Sequence, residues 1–185
     1  MKMVRIVILH GSPRKNHNSD TLAEKYLEGF KSKISVEEEH FYLNEMNISP
    51  CQGCLYCEHS VHHQCKIQDD MQKIHKSYKT ADLVIYATPM YWGYLTGQME
   101  ITVDRMEALA WEGFSGKTVV VIMTYRHHYE SAENFFKRVA PFFHLDLHTF
   151  PCRTYNPETQ EDIPITKLPE KLSQIYKLGE KMAVR

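Results

Sequence analysis

No apolar run in the sequence approaches the ~20 residues that a membrane-spanning helix needs. The charge is equally unbiased, because 22 Lys and Arg residues are balanced by 23 Asp and Glu residues, which leaves a formal net charge of −1. A chain without a basic or acidic excess has no electrostatic attraction to nucleic acid or to an anionic membrane. We therefore expect partners that include neither.

The amino-terminal segment lacks the features of a secretory leader. Arg5 interrupts its short apolar run, and no small-residue cleavage site follows. We therefore expect a cytoplasmic protein, whose 5 cysteines form no disulfide framework because the cytosol is reducing. A chain of 185 residues with 43% hydrophobic content suits one domain, residues 1–185, with one sizeable core.

Two common nucleotide-binding motifs are missing from the loop GSPRKNHNSDT, Gly11 to Thr21. A P-loop closes on Gly-Lys-Ser/Thr and the dinucleotide fingerprint needs three glycines, whereas this loop has a single glycine at its start. The loop joins an apolar run to a helical pattern, so unpaired N–H groups and the positive helix end face one cavity. We interpret it as a site for a terminal monophosphate. An ordinary strand-to-helix loop capped by Asn18 or Ser19 is the alternative.

Apolar strand patterns alternate with helical stripes along the chain. The predicted strands are Val4–Leu9, Ser35–Leu43, Ala81–Thr88, Lys117–Tyr125 and His144–Phe150, and the helical stripes begin at Leu22, Met71, Met99, Ala132 and Leu168. The alternation predicts an α/β fold, a flavodoxin-like doubly wound five-stranded parallel sheet with helices on both faces. Three glutamates in the second strand favour a position near the sheet edge. The ligand of such a fold lies where strand order reverses, after the first and third strands.

The loop after the third strand is rich in aromatic residues and reads TPMYWGYLTG from Thr88 to Gly97. Tyr91 and Trp92 supply flat apolar faces, and Gly93 permits close backbone approach. A flat heteroaromatic ring with a phosphate tail would satisfy this loop and the Gly11–Thr21 loop together. An aromatic cluster that only packs, or a dimer contact, is the alternative.

These two segments, GSPRKNHNSDTL and TPMYWGYLTGQMEITVDRM, resemble the FMN-binding segments of the NADPH-dependent FMN reductase family. The resemblance implies that the FMN phosphate is surrounded by Ser12, Arg14, Asn18, Ser19, Asp20 and Thr21. It places Pro89, Met90, Tyr91, Trp92 and Gly93 against the ribityl chain and the isoalloxazine. It also implies a structural role for Asp104 and Arg105. Glu100, where a lysine is common, and the glycine-free loop Tyr125–Glu130 depart from the family pattern.

Four of the 5 cysteines fall in one segment, the insert 44–68. Cys51, Cys54 and Cys57 are separated by two residues each, and Cys65 follows after seven more. Thiolates at that spacing can bind the corners of a 4Fe–4S cluster, and the spacing resembles that of the iron–sulfur flavoprotein branch of the same family. Zinc is a second interpretation, because His59, His62 and His63 lie in the same segment. A metal-free substrate loop is the third.

The resemblance implies an enzyme in which NAD(P)H reduces bound FMN and the flavin passes electrons to a quinone, a nitroaromatic, free flavin or a protein acceptor. Hydride transfer needs no protein acid or base, and no residue is assigned a catalytic role. Two alternatives remain, an iron–sulfur flavoprotein electron carrier and a non-enzymatic redox or zinc sensor. The resemblance also implies a homo-oligomer, a dimer or tetramer, and the aromatic segment Met90–Leu95 agrees with it.

Overall fold

The computed structural model describes residues 3–184 and is built on one five-stranded parallel sheet of order β2-β1-β3-β4-β5. The strands are β1 (Val4–His10), β2 (Val36–Tyr42), β3 (Leu83–Pro89), β4 (Thr118–Tyr125) and β5 (Asp146–Arg153). The predicted flavodoxin-like sheet is confirmed, and the strand order reverses between β1 and β3. A ligand site is expected at the carboxyl ends of these two strands.

The helices follow the predicted stripes, with one addition. They are α1 (Asn18–Lys31), α2 (Tyr56–His59), α3 (Met71–Thr80), α4 (Gly97–Arg105), α5 (Glu130–Val139) and α6 (Pro169–Ala183). Short 3₁₀ turns lie at Leu43–Glu45, Met106–Leu109, Ala140–Phe143 and Ile165–Lys167. The single turn α2 was not predicted. No helix within residues 3–184 combines the length and the apolar character needed to cross a bilayer.

The two faces of the sheet bury separate cores because successive strand residues point to opposite sides. Ile6 and Ile8 pack with α1 and α6 on one face, while Val7 and Leu9 pack with α3, α4 and α5 on the other. The same alternation continues in β3 and β4, whose apolar residues are buried on both faces. Continuous apolar strands are therefore explained by helices covering both sides.

Helices α1 and α6 touch backbone to backbone. A Cβ atom on Gly179 would lie 2.1 Å from the carbonyl oxygen of Tyr26, and one on Gly29 would lie 2.1 Å from that of Tyr176. Glycine at both positions is what allows this approach. The carboxy-terminal helix is thereby fixed to the helix that follows β1.

The two edge strands differ in how well the sequence predicts them. β2 lies at one edge, as its glutamates indicated, and Glu37, Glu38 and Glu39 are exposed. β5 begins later and ends later than the predicted His144–Phe150, because it pairs with β4 as far as Arg153. A two-stranded antiparallel hairpin, β6 (Tyr155–Asn156) and β7 (Glu161–Asp162), follows it and was not predicted.

Candidate functional site

The loops after β1 and β3 are joined directly at Gly11. The Gly11 N–H donates to the Ala87 carbonyl at 2.8 Å. The Gly11 carbonyl accepts from the Thr96 hydroxyl, at the start of α4, at 2.8 Å. A Cβ atom on Gly11 would lie 2.8 Å from Thr88 Oγ1, so a larger residue would push the loops apart. The convergence of the two chemically rich loops is confirmed.

The loop after β1 leaves the first turn of α1 without a side-chain cap. His17 occupies the N-cap position and makes no side-chain hydrogen bond to the helix, so capping by Asn18 or Ser19 is not what the structure has. Ser12 instead organises the loop, since its Oγ accepts from the Arg14 N–H at 3.1 Å and donates to the Arg14 carbonyl at 2.8 Å. The N–H groups of the first helical turn can therefore bind an anion.

Asn18 and Asp20, both predicted around the phosphate, have partners inside the protein. Asn18 Nδ2 donates to the Ile163 carbonyl at 3.2 Å, and its Oδ1 accepts from the Ile165 N–H at 2.9 Å. Asp20 is buried, accepts from the Asn16 N–H at 2.9 Å and lies 3.0 Å from His10 Nδ1. These contacts give the two side chains positioning roles in the loop.

The loop after β3 ends in a tight hairpin turn. Tyr91 and Tyr94 exchange backbone hydrogen bonds of 2.9 and 3.1 Å, with Trp92 at φ 53° and Gly93 at φ 75° between them. Positive φ at both central residues is a type I′ turn, which suits glycine and is strained for tryptophan. The Trp92 ring is fully exposed at the rim of the crevice. Such strain is typical of binding sites.

A cavity of about 1210 Å³ opens at the carboxyl ends of the strands. Nine of the predicted residues line it: Ser12, Arg14, Asn18, Ser19, Pro89, Met90, Tyr91, Trp92 and Gly93. Two do not, Asp20 and Thr21. The remaining lining residues are not among the predicted site residues: His17, Thr124, Tyr125, Arg126, His127, His128, Thr154, Asp162 and Pro164.

Most of this remaining lining comes from the end of β4 with the loop after it and from the segment that carries the β6–β7 hairpin, and His17 belongs to the loop after β1. Arg126 Nε donates to Asp162 Oδ1 at 2.7 Å, which ties the β4 loop to the hairpin. A Cβ atom on Gly93 would lie 3.3 Å from His128 Cβ, so the same loop also reaches the aromatic turn. The sequence analysis named this loop, Tyr125–Glu130, only for departing from the family pattern and assigned it no site residue. The hairpin carried no sequence signal.

The four clustered cysteines lie in a segment with little regular structure. Cys51 and Cys54 are exposed, and Cys57 and Cys65 are half-buried. Within residues 3–184, no three metal-binding side chains of this segment bring their ligand atoms within 4.8 Å of one another. One zinc ion with Zn–S bonds of about 2.3 Å would need such closeness, whereas the thiolates of a 4Fe–4S cluster bind separate irons. The zinc and the 4Fe–4S interpretations both stay predictions.

His63 is held in place by one contact inside the cysteine segment and one outside it. Its Nδ1 lies 2.9 Å from the Cys57 carbonyl oxygen, and its ring stacks on Trp111 with centroids 5.5 Å apart. These contacts hold the cysteine segment against the turn that follows α4.

Arg105 joins the two ends of the cysteine segment. Its Nη1 donates to the Ser49 carbonyl at 2.6 Å and its Nη2 to the Ile67 carbonyl at 3.3 Å, so one guanidinium joins the residues that flank the four cysteines. The same group binds both oxygens of Asp69. This is the structural role that was predicted for Arg105.

Burial and neighbouring charges shift the pKa values of Arg105 and Asp69 in opposite directions. Burial alone would lower the pKa of Arg105, but the Asp69 hydrogen bond and the nearby Cys65 sulfur outweigh it and raise the pKa. Burial alone would raise the pKa of Asp69, but hydrogen bonds from Arg105 and from the N–H groups of Ser49 and Met71 lower it. The Arg105 Nε–H, buried as well, has no hydrogen-bond partner among the described residues.

Comparison with known proteins extends these observations. The family model described as NADPH-dependent FMN reductase matches residues 4–162. An iron-sulfur flavoprotein of Clostridioides difficile (strain 630) is 30% identical over 180 residues, covering 95% of this chain and 76% of that protein. An iron-sulfur flavoprotein of Archaeoglobus fulgidus is 36% identical over 124 residues, covering 63% of this chain and 60% of that protein.

The solved structures are similar in fold. The NAD(P)H:quinone oxidoreductase from Methanothermobacter marburgensis superposes with a TM-score of 0.71 at 16% identity, covering 98% of this chain and 96% of that chain. At that identity the likeness concerns the fold alone. The matches to three iron-sulfur flavoproteins span 60%, 53% and 60% of the length of those relatives.

Proposed function

The chain belongs to the NADPH-dependent FMN reductase family, and on that premise we propose that it is an FMN-dependent NAD(P)H oxidoreductase with FMN in the 1210 Å³ cavity. The observation that carries the proposal is the direct joining of the phosphate-type loop and the aromatic turn at Gly11. One ligand with an anionic tail and a flat ring would contact both. FMN in such a site accepts a hydride from a nicotinamide and passes electrons to an acceptor.

The phosphate end would be formed by the loop after β1. Ser12 and Ser19 are almost fully buried at the cavity wall, and Arg14 is an exposed cation beside them. Hydroxyls, one guanidinium and the uncapped N–H groups of α1 are a donor set that fits a phosphate dianion. Asn18 holds the β6–β7 segment against this loop rather than serving as a direct donor.

The ring end would be formed by the type I′ turn. Pro89 and Met90 lead into it, and Tyr91 and Trp92 present aromatic faces beside Gly93. A planar ring packed on Trp92 would cover an otherwise exposed side chain and keep water from one face of the ligand. The strain at Trp92 is then offset by binding.

At about 1210 Å³ the open cavity exceeds the ~300–1,000 Å³ of most ligand pockets, which supports a proposal that a second small molecule binds beside FMN. We infer that a nicotinamide and an electron acceptor use this remaining space in turn. Acceptors of suitable shape are quinones, nitroaromatics and free flavin, and a protein acceptor would dock at the open rim.

A visible absorption spectrum of the purified protein, recorded anaerobically before and after NADPH, tests this function. Flavin bands that bleach on addition are expected. A colourless preparation that FMN does not reconstitute would overturn the proposal and favour a redox or zinc sensor.

A second function, iron–sulfur electron carrier, is favoured by the cysteine segment. Cys51, Cys54, Cys57 and Cys65 would hold a 4Fe–4S cluster, which exchanges single electrons. The donor set fits, since these are four free thiols, two exposed and two half-buried, in a segment held at both ends by Arg105. Iron and acid-labile sulfide are measured after anaerobic purification, and the absence of both rejects the cluster while leaving the FMN function intact.

Three further expectations are part of the proposal. Residues 1–185 would act as one FMN-binding domain with 44–68 as an insert, and the protein would be cytoplasmic. We also infer a homo-oligomer, since Trp92, Trp111 and Phe142 expose large apolar surfaces. Sedimentation of the FMN-loaded protein tests this, and a monomer at micromolar concentration would contradict it.

A further inference from the structure

Two histidines on neighbouring strands meet behind the loop that follows β1. His10 ends β1 and His40 lies in β2, and the parallel register pairs His10 with Tyr42. His10 is completely buried, and its Nε2 lies 3.0 Å from His40 Nδ1. Glu24 of α1 brings Oε1 to 3.7 Å from the same His40 nitrogen. These three ligand atoms lie within 4.8 Å of one another, the one such group that the described residues contain.

A carboxylate lies near the second nitrogen of each imidazole, within hydrogen-bond distance for His10 and beyond it for His40. His10 Nδ1 lies 3.0 Å from Asp20 Oδ1, and His40 Nε2 lies 3.9 Å from Glu38 Oε1. Glu38 is also paired with Lys31 at 3.1 Å. A carboxylate hydrogen-bonded to a histidine, as Asp20 is to His10, fixes the tautomer and strengthens the lone pair of the other ring nitrogen, which is the usual arrangement around metal-binding histidines.

We propose that His10, His40 and Glu24 bind one Zn²⁺ ion through His10 Nε2, His40 Nδ1 and a Glu24 oxygen. Two imidazoles and one carboxylate are a common protein ligand set for zinc. Glu24 is half exposed, so water can supply a further ligand and the ion has a path of entry. This site is separate from the cysteine segment and from the FMN cavity.

The positions of the imidazole protons allow a metal ion to replace the hydrogen bond between His10 and His40. Asp20 accepts from His10 Nδ1–H, which leaves His10 Nε2 as an acceptor, so the proton between the two rings is on His40 Nδ1. Zinc binding would move that proton to His40 Nε2, where it faces Glu38. The two rings then both present lone pairs to the ion without releasing a proton.

The ion would connect β1, β2 and α1 immediately behind the loop that we assign to phosphate. His10 precedes Gly11, and Asp20 holds the Asn16 N–H inside the loop. Because a ligand that binds the folded state alone stabilises it, zinc should raise the melting temperature.

The test is zinc stoichiometry of the full-length FMN-loaded protein, measured by competition with a chromophoric chelator. His40→Gln is compared with His148→Gln, which removes a histidine from the opposite edge strand. Any zinc on the four cysteines is common to both variants. We expect wild type and His148→Gln to bind one more ion than His40→Gln, and that ion to raise the melting temperature. Equal stoichiometry in all three proteins overturns the proposal.

Glu24→Gln guards against misfolding of the histidine variant, because Glu24 is on the helix surface. It should weaken zinc at this site by about tenfold or more. Substituting Co²⁺ gives a further readout, since bands without a sulfur-to-cobalt transition are expected for the ion that His40→Gln loses. A thiolate transition for that ion would assign it to the cysteines and contradict the site.

Discussion

Arg105 and Asp69 form a two-pronged ion pair in the interior, with Nη1 at 2.8 Å from Oδ2 and Nη2 at 3.1 Å from Oδ1. The Arg105 side chain is 1% exposed and that of Asp69 is 4% exposed. Removal of one partner from such a pair leaves a buried charge without compensation. The base of the cysteine segment therefore depends on this contact.

Asp69→Asn should lower the free energy of unfolding by about 3–5 kcal/mol, since it leaves the Arg105 charge buried and unpaired. Asp70→Asn is the matched control, because Asp70 pairs with Lys73 at the surface. That exposed pair should contribute little to stability, because solvent screens it. Urea unfolding at saturating FMN measures both. Equal losses of unfolding free energy in the two variants would contradict a stabilising role of the buried Arg105–Asp69 pair.

The contribution of Asp69 should also depend on pH. The pKa of Asp69 is lowered in the folded protein, where hydrogen bonds from Arg105 and two backbone N–H groups outweigh burial. A lowered folded pKa gives stability that is complete above the unfolded value of about 4 and is lost as the pH falls through the folded value. The difference between wild type and Asp69→Asn should therefore shrink below about pH 4. A difference that stays constant down to pH 2 would refute this assignment.

Arg14→Met should weaken FMN binding by about tenfold or more, because it removes a charge-assisted hydrogen bond to the phosphate. Riboflavin lacks the phosphate, so its affinity should not change. Lys15→Met is the control, since the Lys15 ammonium pairs with Glu45 at 2.8 Å and does not line the cavity. Fluorescence titration of both ligands is the measurement. A parallel loss of riboflavin affinity would show that Arg14 acts on the loop and not on the phosphate.

Trp92→Asn should weaken FMN and riboflavin alike, by roughly three- to tenfold, because it removes a stacking surface worth about 0.5–1.5 kcal/mol. Asparagine tolerates positive φ, so the turn itself should persist. Trp111→Asn removes an exposed tryptophan outside the cavity and should leave both affinities unchanged. Unchanged affinities in Trp92→Asn would show that the flavin ring does not stack on Trp92.

Gly179→Ala should destabilise the protein by about 1–3 kcal/mol or more, because the new Cβ overlaps the Tyr26 carbonyl and the helices must separate. Gly97→Ala is the control, since a Cβ there meets nothing within 4 Å. Thermal unfolding of both variants decides. If Gly179→Ala melts at the wild-type temperature, α1 and α6 are not held in the described contact.

The sequence predicted the parts of the site that depend on local pattern. Continuous apolar strands located the carboxyl ends, and the loops carrying Ser12 and Trp92 lay where strand order reverses. Contacts between distant side chains were beyond that reasoning. Arg126 reaches Asp162 through a hairpin of two-residue strands, which is too short for a periodic signal. His10 and His40 meet because two strands adopt a particular register, and neither histidine stands out on its own.

Because Arg105 binds both ends of the cysteine segment, the length of that segment can change without a change in the fold. Ser49 and Ile67 are held at fixed positions by one side chain, so the residues between them form a closed loop anchored at a rigid base. Doubling the length of such a loop costs only about 0.6 kcal/mol in closure entropy. The residues between Ser49 and Ile67 can thus be replaced by other sequences. Chimeras that carry shorter, longer or cysteine-free segments between these two residues should keep the same sheet.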